Sequence, residues 1–250
     1  MILEFIFRFA HVLFGIVWIG MLYYFNFVQT EYFKEAEADA KADALKKLAP
    51  RALWWFRWGA MFTFLTGLYL LHLIGAVGPE MNFMANYLIW IGALAGIFMF
   101  LNVWLIIWPK QKVVLGLKEG DGPSSAAKAG LASRTNTLLS APMLFGMLGS
   151  KHLYIADVSS TSVYVCLAII VLLELNGIFG KTGPITSVKG VIHCSLGLTA
   201  LLWVVLVTYK QLVCLKKPRF PRLFCFSSIG AMYNQASCLY GVLPSCPMTT

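Results

Sequence analysis

The chain has 250 residues, of which 59% are hydrophobic and 12% are charged, and its formal net charge is +9. A water-soluble core cannot bury this much apolar surface, so the composition excludes a soluble globular protein and predicts a lipid bilayer around most of the chain. The positive charge does not indicate nucleic-acid binding, because the Lys and Arg residues lie in the connections between apolar runs, where they determine membrane topology.

Apolar runs of about 20 residues predict membrane-spanning helices. Taken in chain order, the runs predict an all-α, polytopic membrane helix bundle with six clear transmembrane helices. The predicted spans are 5–29, 54–77, 85–108, 136–154, 160–180 and 189–214. A further run at 223–243 is only weakly apolar, so it leaves a seventh span open.

Two long polar connections separate these runs. The segment TEYFKEAEADAKADALKKLAP is charged and rich in alanine, and it predicts a short surface helix that Pro50 ends. The segment PKQKVVLGLKEGDGPSSAAKAGLASR predicts a polar loop that turns at Gly-Asp-Gly-Pro.

The charges of the connections predict the orientation. Residues 30–53 and 109–135 together carry ten Lys and Arg residues, whereas the connection around GPEMN carries none. The positive-inside rule therefore places both basic connections in the cytoplasm and the N-terminus outside. Six spans also place the C-terminus outside, although the residues that follow the last span are basic.

The chain divides at about residue 214. Residues 1–214 are predicted to form the transmembrane helix bundle, and residues 215–250 a basic, cysteine-containing tail. Four of the six cysteines lie from Cys214 onward, where helical periodicity is lost. The tail is either an external segment with disulfides or a diverged, weakly structured terminus.

Two histidines lie at similar depths in the first two spans. The helical rise places His11 about 9 Å and His72 about 8 Å from the outer ends of their spans. Two imidazoles at one level on antiparallel neighbours suit a haem iron between them, and Gly67 would let a flat macrocycle approach. His152, near the outer end of the fourth span, is an alternative ligand. Packing histidines with hydrogen-bonded rings are the other interpretation.

A second polar set lies in the inner half of the predicted spans. Glu174 and Asn176 stand near the end of the fifth span, and His193 near the start of the sixth, so we expect these three to form a catalytic set. The set of candidate substrate-binding residues at the same level comprises Arg57, Arg134 and Asn136. Such a basic cavity would suit a small planar anion. The alternative is a structural hydrogen-bond network with cations that reach the interface.

Several unusual strings resemble one family. They are HVLFGIVWIGMLYYFNFVQ, APRALWWFRWGAMFTFLTGLYLL, FLNVWLIIWPKQ, NTLLSAPMLFGML and LELNGIFGKTGP. Together they resemble the membrane domain of bacterial urate hydroxylases, also called the urate oxidase N-terminal domain. The first string also resembles the first helix of membrane protoporphyrinogen oxidases, whose histidine binds haem.

The resemblance implies a membrane-bound oxidoreductase of the bacterial inner membrane. It would oxidise urate to 5-hydroxyisourate and pass electrons to a cytochrome c. His11 becomes a candidate axial ligand, and Arg8 would either meet a haem propionate or pair with Glu4. The chain contains no CxxCH motif, so the resemblance implies a non-covalent haem b and an external cytochrome c.

Two other classes of function are open at this point. The chain could be a haem-b-bearing accessory subunit of a respiratory complex without a substrate of its own. It could also be a transporter or another non-catalytic membrane protein. A visible spectrum of the purified protein, recorded with and without urate, separates these classes.

Overall fold

The computed structural model describes residues 2–79, 81–155 and 158–216. Within these ranges the chain forms helices and the turns that join them, which confirms the predicted all-α membrane fold. In chain order the helices are α1 (Ile2–Glu35), α2 (Ala38–Asp43), α3 (Ala49–Leu73), α4 (Met84–Val114), α5 (Gly122–His152), α6 (Ser160–Phe179) and α7 (Val188–Lys216). The predicted tail lies outside the described residues from position 217 onward.

Four of these helices are long and apolar enough to cross a membrane. They are α1, α4, α6 and the Val188–Thr208 part of α7, and they confirm four of the six predicted spans. The other two predicted spans correspond to α3 and α5, which have 25 and 31 residues. These two helices are less apolar because they carry polar side chains, such as Thr63 and Asn136, that are buried between helices. Their crossing of the membrane stays a prediction.

The boundaries of α3 differ from the predicted span 54–77. Pro50 lies in the first turn of α3, where a missing backbone N–H costs little, instead of ending the surface helix. A π-helical turn at Ala44–Leu48 joins α2 to α3. At the other end α3 stops at Leu73, because Gly75 takes a left-handed φ of 66° that turns the chain.

Helix α5 begins well before the predicted fourth span. Asp121 caps it by accepting a hydrogen bond from the backbone N–H of Ser124 at 3.3 Å, and Pro123 lies in its first turn. The predicted Gly-Asp-Gly-Pro turn is therefore the start of a helix, and most of the predicted polar loop is helical. This extension places Arg134 within the helix, where its side chain is buried.

Small residues bring pairs of helices close together. A Cβ added at Gly59 of α3 would lie 3.1 Å from the backbone nitrogen of Trp18 in α1. The rings of Phe14 and Phe62 pack across the same two helices with centroids 4.8 Å apart. Close approach at small residues is the usual way in which helices associate in lipid. The α1–α3 pair is thereby fixed in register.

We name the two ends of the bundle after the predicted orientation. The outer end contains the start of α1, the α3–α4 turn and the end of α5. The inner end contains α2, the α4–α5 turn and the α6–α7 connection. A cavity lies at each end.

The orientation can be tested by cysteine labelling of intact cells. We expect Met81→Cys, on the outer turn, to react with a membrane-impermeant maleimide, because Met81 is 47% exposed. Lys41→Cys, at the inner end, should react only after the membrane is permeabilised. The unsubstituted protein gives the background from its own cysteines. The reverse pattern would place the basic connections outside and invert the topology.

Candidate functional site

The inner cavity has a volume of about 670 Å³, within the range of small-molecule sites. It is lined by the end of α1, by α2, by the start of α3 and α5, by the end of α4 and by the α6–α7 connection. Its polar lining includes Asn26, Gln29, Lys34, Lys41, Ser133 and Arg134. These six segments of the chain therefore converge on one basic, polar cavity.

Two buried side chains of this cavity have unsatisfied hydrogen-bonding atoms. Arg134 is 7% exposed, and its Nη1 has no hydrogen-bond partner among the described residues. Gln29 Oε1 is also buried without a partner among them. Buried polar atoms are nearly always paired, so these two atoms have hydrogen-bonding capacity left for a water molecule or a polar ligand. Arg134 was predicted from the sequence, whereas Gln29 was not.

Asn26 and Ser133 order the cavity wall. Asn26 lies in a π-helical turn of α1, Tyr24–Gln29, and its Nδ2 donates to Ser133 Oγ at 2.8 Å and to Leu22 O at 2.9 Å. π-Helical turns within α-helices frequently mark functional sites. The only sequence signal for this wall is a polar residue within an apolar run.

Glu174 lies in a buried amide network. Its Oε2 accepts a hydrogen bond from Asn102 Nδ2 at 3.1 Å, and the same nitrogen donates to Asn136 Oδ1 at 2.9 Å. Asn136 Nδ2 in turn donates to Met99 O at 2.9 Å. Asn102 opens a third π-helical turn, Asn102–Ile107. The network joins α4, α5 and α6 at one level.

The structure does not assemble the predicted catalytic set. Asn176 is exposed and donates to Lys181 O at 3.3 Å, and His193 is also exposed. Residues two apart on a helix lie on different faces, so Asn176 cannot share the buried face of Glu174. Of the three residues, only Glu174 stands in a buried polar site.

The predicted substrate-binding residues also separate. Arg134 lines the inner cavity, and Asn136 belongs to the amide network instead. Arg57 is stacked on Trp108, with its Cζ 3.9 Å from the ring centroid. This cation–π contact at the inner end is typical of a cation at the membrane interface. Arg57 does not line the inner cavity.

The outer cavity has a volume of about 330 Å³ and is mostly apolar. His11 lines it, and its Nδ1 lies 2.9 Å from Thr63 O. A carbonyl oxygen only accepts, so Nδ1 carries the proton and Nε2 keeps its lone pair. A Cβ at Gly67 would approach within 3.0 Å of His11 Cε1, so glycine makes room for the ring. These features fit an imidazole that ligates a metal through Nε2, since ligating histidines usually donate their other N–H to a carbonyl.

His72 does not join His11 at this cavity. His72 and His152 are both exposed, but only His152, at the end of α5, lines the cavity together with His11. The apolar run predicted a second span that extends to residue 77, and that predicted boundary placed His72 level with His11. The observed helix ends four residues earlier, so His72 lies nearer to the outer end than predicted.

Arg8 lies at the mouth of the outer cavity and pairs with Glu4. Its Nη2 is 2.7 Å and its Nε 3.1 Å from Glu4 Oε1. Both side chains are more than a third exposed, so the pair adds little to stability. Of the two predicted roles for Arg8, the ion pair with Glu4 is the one present in the structure.

The fold and its two cavities define a class of protein. It is a membrane helix bundle with a basic polar cavity at one end and a histidine-lined apolar cavity at the other. A family model described as urate oxidase N-terminal matches residues 81–208, so the chain belongs to the urate oxidase N-terminal family. The match covers all of α4 through most of α7 and includes Arg134, His152 and Glu174. No curated protein and no solved structure matches the chain.

Proposed function

We propose that the protein binds urate in the inner cavity and oxidises it to 5-hydroxyisourate. The observation that carries this proposal is the pair of unsatisfied atoms on Arg134 and Gln29, in a protein of the urate oxidase N-terminal family. In this proposal the protein is a multi-pass component of a bacterial inner membrane with its N-terminus outside.

Urate has the chemistry that these two atoms require. It is a planar monoanion near neutral pH, and its edges alternate carbonyl oxygens with ring N–H groups. Arg134 would donate to an oxygen that carries part of the negative charge, and such charge-assisted bonds are about twice as strong as neutral ones. Gln29 Oε1 would accept from a ring N–H. Lys41 adds a positive charge that attracts an anion, whereas Lys34 is paired with Glu31 at 2.8 Å.

Oxidation requires a route for electrons and protons. Conversion of neutral uric acid to 5-hydroxyisourate adds the oxygen of a water molecule to C5 and releases two electrons and two protons. An external cytochrome c would accept the electrons. His11 would hold a haem b in the outer cavity, and a haem supplies one-electron transfer when bound.

The proposal is tested with the purified full-length protein in detergent. We expect saturable urate binding by calorimetry, and a decrease in the ultraviolet absorbance of urate when oxidised cytochrome c is added. Benzoate, an anion without the alternating purine edge, should not compete. Absence of urate binding would refute the proposal, and a haem spectrum without it would favour an accessory subunit. Bound urate that crosses vesicle membranes unchanged would favour a transporter.

Glu174→Gln tests whether the amide network takes part in turnover. Gln keeps the size of the side chain and an oxygen that accepts from Asn102, but it cannot take up a proton. If Glu174 handles protons, we expect turnover to fall by about a hundredfold, the usual effect of losing a general acid or base. Urate affinity and the melting temperature should change little. If the variant misfolds, the amide network has a structural role. If turnover is unchanged, Glu174 takes no part in the mechanism.

A further inference from the structure

Two histidines from distant parts of the sequence lie at one level of the outer cavity. Helices α1 and α5 are antiparallel, and Tyr23 Oη bonds to Ser140 Oγ at 2.8 Å between them. His11 precedes Tyr23 by 12 residues, and His152 follows Ser140 by 12 residues. Both histidines are therefore about 18 Å from this contact toward the outer end. Both line the same cavity.

His72 lies at a different level. The ring of His11 packs against Gly67 in α3. His72 follows Gly67 by five residues, so it lies about 7.5 Å closer to the outer end than His11 does. It is also absent from the lining of the cavity. The outer cavity therefore brings His11 together with His152 and not with His72.

The side chains at the cavity favour a metal that brings most of its own ligands. Within the described residues, no group of three or more His, Cys, Asp or Glu side chains could hold a metal ion. A bare transition metal usually needs three or four protein ligands. Haem iron needs only axial ligands from the protein, because the macrocycle supplies the other four nitrogens.

The remainder of the cavity suits an apolar macrocycle with acidic substituents. Phe64, Leu71 and Ile97 contribute apolar surface, and Gly96 leaves room beside them. At the mouth, Lys151 adds a positive charge next to His152. A cation at the mouth is placed to pair with a carboxylate that reaches toward solvent.

We infer that His152, and not His72, is the second axial ligand of a haem b held by His11 in the outer cavity. The inference rests on the haem part of the proposed function and is independent of urate binding at the inner cavity. It assigns the ligand pair to α1 and α5, so binding would tie the start of the chain to the urate oxidase N-terminal region. Met147 of α5 is the competing ligand, because it lines the same cavity and thioether sulfur also ligates haem iron.

The test is spectroscopic and uses the full chain purified with its bound haem. We expect the oxidised wild type to give the electron paramagnetic resonance signal of a low-spin bis-histidine haem. His152→Ala should lose this signal, and added imidazole should restore it. His152→Met should change it to a histidine–methionine signal, which keeps the test decisive if the alanine variant folds poorly. His72→Ala and Met147→Leu should keep the wild-type signal.

Three results would overturn the inference. They are a full bis-histidine signal in His152→Ala, loss of that signal in His72→Ala or Met147→Leu, and absence of haem from the wild type. Urate titration of the same samples separates this failure from failure of the proposed substrate. Haem loss with normal urate binding would concern only the outer cavity.

Discussion

Arg134→Gln should weaken urate binding by about tenfold to a hundredfold. A hydrogen bond to a charged group contributes about 1.5–3 kcal/mol, and about 1.4 kcal/mol corresponds to tenfold in affinity. Arg134 is 7% exposed and its Nη1 has no partner among the described residues, so a ligand would bind to an atom that is already desolvated. Titration calorimetry with urate measures the change directly.

The matched control removes an arginine from the same end of the bundle. Arg57 is stacked on Trp108 and does not line the inner cavity, so Arg57→Gln should leave the Kd for urate within about twofold of the wild-type value. If both variants weaken urate binding equally, urate affinity depends only on the net charge of the protein and not on a specific contact with Arg134. Arg134→Lys should give an intermediate affinity, because lysine keeps the charge but lacks the planar pair of donors.

The helices could be predicted from the sequence because their apolar runs have the length of a membrane span. The turns that end them were harder to predict, since one residue decides each of them. Gly75 ends α3 before residue 77, and Asp121 starts α5 before residue 136. Hydropathy averages over about 20 residues and does not detect such positions.

A site residue could be predicted where its own position in the sequence was sufficient to identify it. Arg134 was identified because it lies at the same inner level of the predicted spans as other polar residues, and it does line a cavity. The grouping of residues was not predictable from chain distance. Asn176 is close to Glu174 in sequence but exposed, whereas Asn102 is 72 residues away and bonded to it. Which faces meet depends on helix register.

Register in this bundle is determined by close helix contacts, which also position the two cavities. The Gly59 contact holds α1 against α3, where Thr63 accepts from His11. The corresponding contact between α4 and α5 lies at Gly92 and Gly146, at the level of the outer cavity. Changes at these glycines should therefore affect both stability and ligand binding.

Gly146→Ala should destabilise the protein by about 1–3 kcal/mol, the usual cost of overpacking. Its Cβ would contact the backbone nitrogen of Gly92 and lie 2.6 Å from Gly92 Cα and 2.7 Å from Leu88 O. These are backbone atoms, which cannot rotate away, so α4 and α5 must separate. Thermal unfolding in detergent, followed by circular dichroism, should show a lower melting temperature.

Gly197→Ala is the matched control for this substitution. Gly197 lies in α7 with no atom within 4 Å of its added Cβ, so alanine should be neutral or slightly stabilising there. Because Gly92 and Gly146 share one contact, Gly92→Ala should cost less in the Gly146→Ala background than in the wild type. Additive effects, or equal effects at Gly146 and Gly197, would show that this contact does not fix the register. Met143 and Met147 flank Gly146 and line the outer cavity, so separation of the two helices should also change the haem spectrum.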